Sequence, residues 1–153
     1  MKSGSTLFLK STVAFIGLGS LGIVIYMLAS IRPAAAGPYY PVVLLIALGV
    51  VPFLIALGEA FKLLIYIDKG TAFSELSVRA LRNIKGCAIA IAALFAAGMP
   101  YIHRAAEIDD APGVILLGLM IVAASAVIAV FAAVLQKLVR TAIEIKSENE
   151  LTV

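Results

Sequence analysis

Charge is what this chain has least of, and the shortage is concentrated. Only 14% of its 153 residues are Asp, Glu, Lys or Arg, against roughly a quarter in soluble domains. Four stretches hold none: Ser11–Ile31, Pro33–Gly58, Gly86–Ile102 and Ala111–Gln136. The longest segment between them is 27 residues, which excludes a separate soluble domain. Cysteine is nearly missing too. Cys87 stands alone, so no intramolecular disulfide can form. It reads as a small buried hydrophobe, with a reactive or acylated thiol as the lesser alternative. Histidine is equally scarce. His103 and Glu107 are four residues apart, a spacing that can begin a metal site. The same loop offers no second His or Cys, so neither a metal nor a cofactor is assigned.

What fills the chain is hydrophobicity, at 63% of residues. A helix of about 20 residues crosses a hydrocarbon core of about 30 Å. Lipid offers no partner to backbone N–H and C=O groups, so apolar runs of this length become helices. The pattern predicts an all-α membrane protein, a four-helix bundle within a single domain. Its spans are expected at about 11–31, 41–67, 86–102 and 112–135, with a loop at 68–85 and a tail at 136–153.

The net charge of +3 belongs to topology rather than to nucleic acid. With the N-terminus inside, the inner segments hold Lys2, Lys10, Lys62, Lys69, Arg79, Arg82, Lys85, Lys137, Arg140 and Lys146. The outer loops hold Arg32 and Arg104. That is the positive-inside bias, and it puts both termini in the cytoplasm. Tyr26, Tyr39, Tyr40 and Tyr101 map to the outer interface and Tyr66 to the inner one. The first run has the charge pattern of a secretory signal, but it is too long for one, and Arg32-Pro33 separate it from Ala34–Ala36. It reads as a retained span.

Local signals set the expected boundaries. Pro41 suits the first turn of span two, and Pro52 should kink it. Gly70 is placed to close that helix in a left-handed conformation. Ser74 reads as an N-cap, with Phe73 and Val78 as a hydrophobic staple. From there an amphipathic helix carrying Glu75, Arg79 and Arg82 should run straight into span three. Ala88, Ala92 and Ala96, with Ala93 and Ala97 beside them, suggest close helix contact. Gly118, Ala129, Ala132 and Ala133 suggest the same in span four. Leu138, Val139, Ala142 and Ile143 continue that helix past the apolar run, between Lys137, Arg140 and Glu144.

Three polar features could carry function. Gly17-Leu18-Gly19-Ser20-Leu21-Gly22 matches a dinucleotide fingerprint by spacing. The acidic residue expected about 20 positions later is missing, so the glycines read as a helix contact instead. Glu59 and Lys62 share a helix face near the inner end of span two. They are either an interfacial pair, with Lys62 snorkelling, or an intramembrane polar site. Arg79, Arg82 and Lys85, joined by Lys137 and Arg140, could touch anionic lipid or a protein. Pairing with Glu144, Glu148 and Glu150 is the plainer alternative. Asp109 and Asp110 precede Pro112 and are expected to cap span four.

Residues Tyr66–Ile84 and Val134–Val153 also carry a family likeness. The chain resembles small bacterial membrane proteins catalogued as domain of unknown function 2975. That resemblance implies four helices in a bacterial cytoplasmic membrane. It also implies a neighbouring helix-turn-helix regulator of the Cro/repressor type, and supplies no catalytic residues. The expected role is non-enzymatic, through the lipid bilayer, a cytoplasmic protein partner and a possible homo-oligomer, without direct nucleic-acid contact. A small oligomeric transporter or channel subunit using Glu59 and Lys62 is the alternative.

Overall fold

A computed structural model describes the backbone of residues 3–30 and 37–152, and most of their side chains. Residues 31–36, with Arg32 and Ala34–Ala36 of the expected outer turn, lie outside the described residues. The described chain is helical and contains no strand. Helix α1 is Ser3–Ser30, and a 3-10 turn at Gly37–Tyr39 leads into α2, Tyr40–Asp68. Then come α3, Glu75–Ala97; α4, Met99–Asp109; and α5, Gly113–Thr152. Four of these, all but α4, are long and apolar enough to cross a membrane. At 40 residues, α5 is about 60 Å long, twice the hydrocarbon thickness.

Helix α2 ends as its sequence demands. Gly70 has φ +74. Its N–H donates to the Ile67 carbonyl at 3.2 Å, and Thr71 N–H to that of Tyr66 at 2.8 Å. These two bonds make a Schellman cap, which occupies carbonyls the helix leaves free. Pro41 falls in the first turn, and the helix continues through Pro52.

The third helix does run unbroken from the loop into the apolar stretch and starts after Ser74 as expected, but the contacts at its start and the position of its end differ from expectation. Ser74 holds the N-cap position without a capping hydrogen bond. Its hydroxyl donates backwards to the Thr71 carbonyl at 2.7 Å. Phe73 is 62% exposed while Val78 is fully buried, so no staple closes. The helix stops at Ala97, five residues short of the predicted end. Pro100 is the cause: it has no N–H to donate and its ring clashes with the Ala96 carbonyl of a continuing helix. The chain turns at Gly98 and begins α4 with Pro100 in its first turn.

The acidic pair ahead of α5 is also reassigned. Asp110 closes α4 in a left-handed conformation, φ 51. Asp109 accepts a hydrogen bond from the Tyr39 hydroxyl. Their position ends one helix rather than capping the next, and joins α4 to the turn before α2.

Packing is sequential. Helix α1 packs mainly on α2, α2 on α3, and α3 on α5, with α4 folded against α5. Helix α1 lies along a flank of α2, with very little of its span buried. Of the glycine motif, Gly17 alone approaches a neighbour, Leu57, while Gly19 and Gly22 face open space. In α3, Ala88 is buried but Ala93, Ala96 and Ala97 are exposed. A four-residue spacing drifts about 40° per step around a helix of 3.6 residues per turn. The buried face therefore follows Leu81, Ala88 and Phe95. In α5, Gly118, Ala129 and Ala132 are buried and Ala133 is partly so.

The tightest contacts surround Leu45, Phe95 and Ile102, with Ile91, Leu94, Met99 and Val122 against them. A Cβ added at Gly98 would lie 2.5 Å from Leu45 Cδ2, and one at Gly49 would lie 2.8 Å from Phe95 Cε2. Gly98→Ala therefore overpacks the core and should cost about 1–3 kcal/mol. Thermal unfolding in detergent measures this. Gly58→Ala is the control, because nothing lies within 4 Å of it. Equal stability of the two variants would refute the close contact.

The Tyr39–Asp109 bond gives a second test. The hydrogen bond that Tyr39 donates to Asp109, followed by lost hydration and the Asp109 charge, raises the Tyr39 pKa above the usual tyrosine value. The bond needs protonated Tyr39. Its stabilisation is complete below the ordinary tyrosine range and is lost as pH rises through the higher folded value. In ultraviolet titration, with Tyr39→Phe as the reference, the Tyr39 phenolate should appear at lower pH in Asp109→Asn than in the wild type. An unchanged curve contradicts the bond.

Candidate functional site

The polar chemistry gathers where the end of α2 meets the beginnings of α1 and α3. Asp68, the last residue of α2, receives two donors from α1. Lys10 Nζ donates to Asp68 Oδ2 at 2.6 Å, and the Thr6 hydroxyl donates to Oδ1. Thr6 is fully buried, and Lys10 and Asp68 are about three-quarters covered. Lys10 Nζ also lies 6.0 Å from the centre of the Phe61 ring. Residues 6 and 10 share a face of α1 at i, i+4, so one carboxylate holds both. This clip was missed in the sequence. Lys10 looked like one more topological charge, and nothing local links residues 6 and 68.

Arg79 and Arg82 are exposed on the first turns of α3, and Lys85 is partly covered. On the buried side of the same turns lies a polar group that the sequence did not flag. Ser77 is 1% exposed, and its Oγ has no hydrogen-bond partner. Lys137 and Arg140 are exposed on α5. The antiparallel packing of α3 on α5 brings both basic groups to the same end of the molecule.

Glu59 and Lys62 form an ion pair within α2 at 3.1 Å. The Glu59 side chain is 12% exposed and that of Lys62 is 56% exposed. This is a largely covered carboxylate with its lysine reaching outward. At the opposite end, His103 pairs with Glu107 at 3.1 Å on the surface of α4. Among the described residues, no three His, Cys, Asp or Glu side chains gather as a metal site. Cys87 is a free thiol, partly buried.

A cavity of about 460 Å³ lies between α2, α3 and α5. Gly49, Ala56, Ala60, Ala88 and Ala124 make room for it, since none has a side chain beyond Cβ. Phe53, Phe95, Ile121 and Ile128 are among the larger side chains of its wall, and Ser125 is its one polar lining residue. Neither Glu59 nor Lys62 lines it. The cavity can hold something apolar. It offers no chain of polar groups for an ion.

Residues 23–153 match the family model described as "Protein of unknown function (DUF2975)". The chain belongs to this family. The likeness visible at Tyr66–Ile84 and in the tail therefore holds over most of its length. The chain is also similar to the uncharacterized membrane protein YoaS of Bacillus subtilis (strain 168). The two are 52% identical over 160 residues, with the whole of each chain covered. No solved structure matches. Together with the four apolar helices, these matches make this a membrane protein of a family of unknown function.

The clip is testable. Asp68→Asn keeps the shape but removes the charge, and Asp68→Ala removes the carboxylate to which both Thr6 and Lys10 donate. The alanine variant should lose about 1–3 kcal/mol, with α1 coming away before the rest. Hydrogen exchange in detergent should then speed up in α1 and at the end of α2, while the Phe95 region stays protected. Uniform exchange across all helices would show that Asp68 does not hold α1.

Proposed function

We propose that this protein is a non-enzymatic membrane adaptor with both termini in the cytoplasm of a bacterial cell. Its cytoplasmic face recruits a protein partner. The observation that carries the reading is the pair of helices that outlast the apolar core. Helix α3 starts eleven residues before the uncharged run and α5 continues 16 beyond it, each bearing exposed cations. The positive-inside rule assigns that end to the cytoplasm. Arg79, Arg82 and Lys85, with Lys137 and Arg140, form a basic surface fitted to an acidic protein face. A small helix-turn-helix regulator is the partner class that the family resemblance suggests. Anionic lipid could share the inner part of the surface.

A transporter or channel subunit is the second reading, and the apolar cavity favours it only for apolar cargo. Glu59 and Lys62 lie off that cavity, which weakens a proton-coupled version. For the adaptor, copurification from native membranes should recover a cytoplasmic protein with the wild type. The triple variant Arg79→Ala, Arg82→Ala, Lys85→Ala should lose most of it while remaining in the membrane. Undiminished recovery would remove this surface from the proposal.

A further inference from the structure

The portion of α5 that outruns its neighbours carries an apolar seam. Helices α3 and α5 run antiparallel, with Gly118 near Met99 and Ile102. Equal rise along both helices brings Glu75, the start of α3, level with about residue 143 of α5. Ile145 and the residues after it therefore extend past α3. Lys137 is the first charge after the apolar run, and Ile145 lies about 12 Å further along the axis. The headgroup layer is only about 5–8 Å deep on each side. Ile145 is thus in water.

Phe131, Leu135, Leu138, Ala142, Ile145 and Asn149 alternate at spacings of four and three. That is a heptad line along one side of the helix. The large members are exposed: Phe131, Leu135, Leu138 and Ile145 each keep about half or more of their surface free. This is a different face from the one packed on α3, which runs through Ser125, Ala129 and Ala132. Lipid solvates Phe131 and Leu135 without cost. The headgroup layer around Leu138 does this only in part, and water does not do it for Ile145. The surface between them is already shaped for a partner. A shallow hollow is lined by Ala142, Ile145, Lys146, Asn149 and Glu150. Residues i, i+3, i+4 and i+7 are the four that outline a hole for a knob from a facing helix.

We propose that this seam pairs with the same seam of a second copy of the chain, as a short parallel two-stranded coiled coil. Copies inserted alike in one membrane present their α5 tails in parallel and at high effective concentration. Charge allows the pairing. Lys137, Arg140 and Lys146 balance Glu144, Glu148 and Glu150, so the two tails do not repel. Ala142 lets the backbones come close. Asn149 occupies the a position, where one asparagine selects two strands and sets their register. Lys137 and Arg140 fall on the outer c and f positions, which leaves them open to the partner proposed above. The pairing does not depend on that partner.

The test uses full-length protein in native membranes, with Cys87→Ala as background. Single cysteines are introduced by Ala142→Cys and Ile145→Cys on the seam, and by Glu144→Cys and Ser147→Cys off it. Under mild oxidation the seam positions should form a dimer several times faster than the other two. Equal rates at all four positions, no product from the seam, or a product with the mass of a different protein would each overturn the proposal. As a second measure, Ile145→Glu should convert detergent-solubilised dimer to monomer without loss of helical content. Loss of the dimer with retained partner capture, or the reverse, separates this pairing from the adaptor reading.

Discussion

Everything in this protein follows from the fact that the hydrocarbon core offers nothing to a backbone hydrogen bond. Each N–H and C=O there must find its partner within its own segment. That demand makes the apolar runs helical before any tertiary contact forms. It also makes the ends the informative places, because only there can the chain meet water and leave the helix. The Schellman cap at Gly70, the left-handed Asp110 and the break at Gly98–Pro100 are where this chain uses that freedom.

Within lipid, burial of apolar surface gives little reason for one helix to seek another. The structure shows what replaces it. Small residues allow close approach at Gly49, Gly98 and Gly118, where Phe95, Leu45 and Met99 press in. Hydrogen bonds tie the edges: Thr6 and Lys10 to Asp68 at one end, Tyr39 to Asp109 at the other. Helix α1 depends on the edge bond most, since so little of its surface is buried. The apolar cavity between α2, α3 and α5 is the other side of the same economy, because small side chains that permit contact also leave space beside it.

The adaptor reading and the paired tail use one feature, the length of α5. A helix of 40 residues cannot be contained by a bilayer and must project from it. Its projecting part bears cations on one side and an apolar line on another. A basic face suits a binding partner, and an apolar line in water calls for cover. The two surfaces are separated around the helix, so both can be occupied together.

Much of this was legible from residues alone. Hydrophobic run length determined four membrane helices, and Gly70 and Pro41 marked helix ends, because those signals act through the local backbone. The continuous helix from Glu75 and the projecting end of α5 were legible for the same reason. The end of α3 was not, since Pro100 lay inside an uncharged run whose apolar signal masked it. The candidate site was less readable still. Arg79 and Arg82 could be seen as an exposed stripe, but the Asp68 clip joins residues 62 apart in sequence, and the orphan Ser77 hydroxyl is a matter of what surrounds it. Only tertiary structure decided which glycines touch, which alanines are buried, and that Glu59 stands beside the cavity rather than in it. Those outcomes depend on rotation of each helix about its axis, which in lipid is set by its neighbours and not by its own hydrophobicity.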